Sequence, residues 1–165
     1  MTEFEKFIES MSKHTVAGST RLKATTSGHI YDVRANADLD NGVLVALDAL
    51  EEGQDSSGQV YTMKAPTGFA GKVIATAANG AYYVEVTTPG DALFVLTVPH
   101  KYADYTSALK ADSTFYNGNG EIMRAYELYA HDVFELSTEG FTGEFAVGDD
   151  VEVDSSTYKL KKTGA

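Results

Sequence analysis

Residues 36–47, NADLDNGVLVAL, place two carboxylates, Asp38 and Asp40, directly ahead of an Asn-Gly pair. The lettering invites a divalent cation. A helix–loop–helix calcium loop takes oxygens from its first, third and fifth positions, a glycine at the sixth and a bidentate Glu at the twelfth. With Asp38 first, Asp40 is third, but Gly42 falls fifth and Ala49 twelfth, and strand-like residues follow. No metal is therefore expected here. The stretch reads instead as a turn in which Asn41-Gly42 reverses the chain. Asn-Gly accepts positive φ at both central positions, which a type I′ turn demands. Asp38 and Asp40 are expected to orient it through bonds to nearby backbone.

The other chemical groups are scattered. The four histidines are His14, His29, His100 and His131, and none falls in an H-E-x-x-H or a close H-x-H pair, so a zinc site is not expected. There is neither a G-x-S-x-G elbow nor a phosphate-cradling P-loop. His131 and Asp132 are neighbours, but neighbours on a strand face opposite ways and do not make a base–orienter pair. Asp149-Asp150 reads as loop solvation. The expectation is a protein that is not an enzyme and holds no cofactor; a triad assembled from distant Ser, His and Asp is the rival reading.

Two stretches suit binding. Phe4, Phe7, Ile8 and Met11 form an apolar stripe on a helix expected over residues 2–12, with Thr2 and Glu5 as its capping box. So short a helix must dock on something: its own domain, or a partner. In KYADYTSALKADSTFYNGNG, residues 101–120, Tyr102, Tyr105, Phe115 and Tyr116 stand among polar and turn-forming residues. Tyrosine combines contact area with a polar tip, which suits interfaces. These four either close one end of a barrel or meet a partner.

The elements that must position these groups are strands. Residues 13–28 are rich in Ser, Thr, Gly and Lys and read as an extended arm. From residue 29 the pattern changes. HIYDVRANA alternates; GVLVALDAL is almost continuously apolar and reads as a buried strand. QVYTMKAP, GKVIATAA, AYYVEVTT and ALFVLTVP follow, bounded by Gly, Pro, Asn and Asp. EIMRAYELYAHDVFELS is long enough for a helix, but its Tyr, Val and Phe favour two strands bent near His131-Asp132. DDVEVDSSTYKLK is a hairpin turning at Asp154–Thr157, and a short helix is expected in YADYTSALKAD. Asn-Gly recurs at 41, 79 and 117, but the flanks differ, so each is read as a local turn and not as a repeat. The fold class is mainly β: an antiparallel barrel or sandwich over residues 29–165, preceded by a helix-bearing arm over residues 1–28.

Composition narrows the partners. The formal charge is −11, from 13 basic and 24 acidic residues, which repels phosphate backbones and argues against nucleic acid. Residues 121–154 hold ten acidic residues and one basic residue, Arg124, either a solvated face or a match for a basic partner. Lys159, Lys161 and Lys162 follow close together. Without cysteine the chain has neither disulfides nor thiolate metal sites. No apolar run reaches the ~18 residues of a membrane helix, and MTEFEKFIES lacks the pattern of a secretory signal. No membrane association is expected.

Two stretches, ADLDNGVLVALDALEEGQ (37–54) and FYNGNGEIMRAYELYAHDVFELSTEGFTGEFAVGDDVEV (115–153), together resemble the decoration or head-stabilisation proteins of tailed bacteriophages. There a D-x-x-N-G turn leads into an apolar strand, and an R-A-Y-x-L strand leads to a D-[IV]-F step and a short hairpin. The resemblance covers about a third of the chain and none of residues 1–28. It implies a structural virion protein, made in the host cytoplasm, that binds the major capsid protein lattice from outside. General capsid geometry admits a homotrimer at a lattice axis. The rival binding function is a ligand- or glycan-binding module for host attachment, built on Tyr102, Tyr105 and Tyr116.

Overall fold

The computed structural model describes residues 13–52, 59–98 and 112–165. The helix expected over 2–12, and all but the last residue of the helix expected in 102–112, lie outside them. The protein is mainly β. β2 (Ile30–Arg34), β3 (Leu44–Leu50), β4 (Val60–Lys64), β7 (Leu93–Val95) and β8 (Ile122–Glu127) close into a barrel in the order β2-β4-β3-β7-β8. Only β2 and β4 run parallel within it. β1 (Ala17–Arg21), β5 (Ala70–Thr76), β6 (Tyr82–Thr88), β9 (Val133–Leu136), β10 (Phe141–Thr142), β11 (Asp150–Val153) and β12 (Leu160–Lys162) form a seven-stranded sheet ordered β1-β9-β6-β5-β11-β12-β10.

The apolar pattern explains how the two layers join. Val43 and Val45 belong to the core inside the barrel with Val33, Met63, Val95 and Met123. Leu44, between them, belongs to the second core, where the barrel wall meets the sheet through Phe94, Tyr126, Val84 and Phe134. A strand buried on both faces needs no alternation, hence the unbroken run GVLVAL. β7 repeats the device: Leu93 and Val95 face the interior while Phe94 packs on Phe134 with ring centroids 4.7 Å apart. Full burial of such side chains contributes roughly 1.5–3 kcal/mol each.

EIMRAYELYAHDVFELS forms β8 and β9, and each serves a different layer. The bend falls at His131, at φ 72, while buried Asp132 accepts from the backbone N–H groups of Lys23 and Tyr129. The segment read as an arm is extended but not free. Residues 17–21 pair with β9 as an outer strand of the sheet, and a single helical turn, α1 (Ala24–Ser27), follows. Its Ser, Thr and Gly have no apolar face to show; backbone pairing and the buried neighbours Leu22 and Ala24 hold it. The Asn-Gly turns also depart from type I′. Gly42 and Gly80 have positive φ, but Asn41 and Asn79 do not, and Gly118 does not either.

Candidate binding surface

β3, β7 and β8 run alternately up and down, so each end of the barrel gathers residues from several strands. At one end lie the starts of β3 and β8 and the turn between β11 and β12. Asp40 sits here, buried. Its Oδ1 accepts from His14 Nδ1 at 2.5 Å. Its Oδ2 accepts from the Thr15 backbone N–H at 3.1 Å, from Thr15 Oγ1 at 3.2 Å and from Lys159 Nζ at 3.1 Å. Burial by itself would raise the Asp40 pKa. The His14 bond, the Lys159 charge, the Thr15 N–H and the Lys159 bond outweigh it and hold the carboxyl below its ordinary value. The expected local bonds of the aspartates are absent: Asp40 ties residues 25, 26 and 119 positions away, and Asp38 accepts from the backbone N–H of Asn119. The Asp40 carboxylate is thus occupied by the Lys159 ammonium and by donors from His14 and Thr15, and among the described residues no group of three His, Asp or Glu is placed to hold a metal.

Asn41 completes this end. Its side chain exchanges two bonds of 2.9 Å with the backbone of Thr97 and accepts from Asn117 Nδ2 at 3.2 Å. The Asn-Gly pairs at 41 and 117 therefore meet in space. The glycine at 42 fills a different need: a Cβ there would lie 2.3 Å from the Leu136 side chain, at φ +85. Tyr158, at φ 60, packs against the barrel core, and its carbonyl accepts from the Leu44 N–H. The turn before it is held by Asp154, whose carboxylate accepts from Ser156 and Thr157.

Tyr116 stacks on the His14 ring, with centroids 4.8 Å apart and planes 26° apart. It is 43% exposed. Phe115 beside it is half-buried. Of the residues singled out for binding, Phe115 and Tyr116 thus stand at the Asp40 end; Phe4, Phe7, Ile8, Met11, Tyr102 and Tyr105 lie outside the described residues. The His14 backbone N–H donates to the Ser113 carbonyl at 3.0 Å. The chain following residue 12 and the chain following residue 111 are thereby tied to each other.

His131 is exposed, its Nδ1 3.7 Å from Glu85, and its ring takes no part with Asp132. The three late lysines each meet a carboxylate: Lys159 on Asp40, Lys161 on Glu152 at 3.5 Å and Lys162 on Asp149 at 3.1 Å. They offset part of the acidic run and do not form a separate basic patch. The Lys162 bond, followed by the Ala146 N–H, lowers the Asp149 pKa.

The opposite end of the barrel gathers the start of β2 and the end of β8. Tyr31 and Tyr61 meet edge to face there, 6.0 Å between centroids, and Glu127 holds His29 Nδ1 at 2.6 Å. On the outer wall, Arg34 grips Glu51 through Nε at 2.6 Å and Nη2 at 3.1 Å and reaches the Gly120 carbonyl at 2.7 Å. Among the described residues no helix is long and apolar enough to cross a membrane.

No family model matches the chain, and neither a curated protein nor a solved structure matches it.

Proposed function

We propose that this is a structural virion protein that binds the outer surface of a phage capsid and stabilises it by contact, without catalysis. One observation carries the reading: the tie between His14 and Ser113, with Tyr116 stacked beside it. The two sequence stretches with the strongest interface character are the helix expected over 2–12 and residues 101–120; the first is followed directly by Lys13 and His14, and the second contains Ser113 and Tyr116. Contact residues far apart in sequence, Phe4, Phe7, Ile8 and Met11 with Tyr102 and Tyr105, then start from one rigid platform. Spreading contacts over segments anchored at one place suits recognition of a preformed lattice, because anchoring reduces the ordering cost of binding. The sequence resemblance supports the same class, and a homotrimer at a lattice axis belongs to the proposal.

Co-sedimentation with purified phage capsids stripped of accessory proteins tests it. The full chain is expected to pellet with capsids, the Tyr116→Ala variant more weakly, and a chain lacking residues 1–12 more weakly still. Failure of the full chain to bind overturns the proposal; equal binding by all three removes this platform from it.

A further inference from the structure

We propose that a cavity among the described residues at the Tyr31 end of the barrel is a notch for an organic cation on an aliphatic stem, the guanidinium or ammonium of an arginine- or lysine-like group. A cavity of about 210 Å³ opens there, lined by Tyr31, Leu47, Asp91, Leu93, Glu127 and Leu128 among others. The lining has two characters. Leu47 and Leu93 belong to the barrel core and Leu128 to the core behind it, so the floor is apolar. The polar side chains of the lining are two carboxylates and one phenol, and no Lys, Arg or His is among them. An anion is repelled by this set. A neutral sugar needs donors as well as acceptors, and among the described lining residues the only side-chain donor is the Tyr31 hydroxyl. A cation gains twice, from the carboxylates and from the aromatic face, while its methylene stem covers the leucines.

The walls are set in advance. Asp91 accepts from the Thr67 backbone N–H at 2.6 Å and from Thr67 Oγ1 at 3.3 Å. Gly90, at φ +57, packs so closely that a Cβ would lie 2.2 Å from the Thr67 carbonyl oxygen. The Tyr31 and Tyr61 rings pack against each other at right angles, and His29 holds the Glu127 carboxylate from outside the lining. A preformed site loses less entropy when a ligand enters. The same chemistry already operates within the chain close by: Lys23 Nζ stands 4.6 Å over the Tyr129 ring. Neither the notch nor its test depends on the capsid reading.

The test is an NMR titration of the full chain with Nα-acetyl-arginine amide and Nα-acetyl-lysine amide. Nα-acetyl-norleucine amide serves as the uncharged match and methyl glucoside as the sugar. Saturable shifts at Tyr31, Leu93 and Glu127 are expected with the two cations, weakening as salt is added. Glu127→Gln and Tyr31→Leu, each checked for an intact spectrum, are expected to weaken binding about tenfold. The comparison of cation with norleucine needs no variant, so it stands even if one of them fails to fold. Equal shifts from norleucine amide would reduce the notch to an apolar slot and overturn the proposal. Binding of the glucoside in place of the cations overturns it in favour of a sugar site. Absence of saturation with either cation, or affinity unmoved by both substitutions, also overturns it.

Discussion

At one end of the barrel a carboxylate is buried and satisfied; at the other, carboxylates stand at a rim. The Asp40 side chain is 11% exposed and meets His14, Thr15 and Lys159. The Glu127 side chain is 36% exposed and meets a His29 ring that is itself half in solvent. The same residue chemistry therefore does opposite things. A buried charge is tolerable only when its bonds are complete, so Asp40 fixes residues 14, 15 and 159 to the barrel. An exposed charge costs little to leave partly unpaired, so the rim can keep attraction in reserve for a ligand. The Asp40 end is a lock, and the tyrosine end is a receptor-like opening.

The sharpest way to break this contrast is Asp40→Asn. The amide keeps the shape but leaves Lys159 and His14 without their anion in a largely buried place. Removing one partner of a buried pair costs about 3 kcal/mol, and urea unfolding is expected to show a loss of that size. A loss no larger than that of a rim substitution would mean that Asp40 is solvated like Glu127 and that the two ends do not differ.

Each end also rests on one glycine. At Gly90 a Cβ meets a backbone carbonyl oxygen at 2.2 Å, whereas at Gly42 it meets the tip of a leucine side chain at 2.3 Å. Both sites have positive φ, so both resist any L side chain. Backbone yields less readily than a side-chain tip. Gly90→Ala is expected to cost about 3 kcal/mol and Gly42→Ala about 2 kcal/mol by thermal unfolding. The reverse order would place the rigid wall at the Asp40 end and not at the notch.

Much of the architecture was legible because it rests on local pattern. The apolar run from Val43 to Leu47 announced a buried strand, and the β-branched and aromatic residues of 121–137 announced two strands where length allowed a helix. Other features rest on distant partners. Nothing near Asp40 in sequence signals a lysine 119 positions away. Asn-Gly pairs signal turns in the sequence, yet the Asn41 amide bridges Thr97 and Asn117. The Ser/Thr/Gly stretch of β1 carries no alternating apolar face, so its pairing with β9 left no trace in the hydrophobic pattern. The Tyr31 notch was equally hidden, because it is assembled from strand ends and one turn.

Acid should separate the ends without mutation. The folded-state pKa of Asp40 lies below its ordinary value. On acidification the unfolded chain therefore takes up the proton first. The stability from Asp40 is complete above the unfolded value of about 3.9 and is lost as pH falls through the folded one. The carboxyls of Glu51, held by Arg34, and of Asp154, held first by the Ser156 N–H, are also lowered and add terms of the same sign. Stability measured from pH 7 downward is expected to fall more steeply in the natural chain than in Asp40→Asn, with the residual slope of the variant coming from Glu51, Asp154 and Asp149. Parallel curves would show that Asp40 titrates alike folded and unfolded.

The smallest effect is expected at the rim, where it is most informative. Glu127 is bonded to His29 in an exposed setting, and exposed pairs contribute about 0–1 kcal/mol. Glu127→Gln should therefore shift the unfolding midpoint only slightly. A residue that costs little to remove yet sits beside Tyr31 in a preformed cavity is spare for folding. If Glu127→Gln instead destabilised the protein as much as Asp40→Asn, the glutamate would be a structural brace for His29, whose Nδ1 also lies 2.7 Å from the Tyr129 hydroxyl, and its charge would not be available to a ligand. Its small cost to folding, set beside a loss of cation binding, is the combination that distinguishes a recognition residue from a brace.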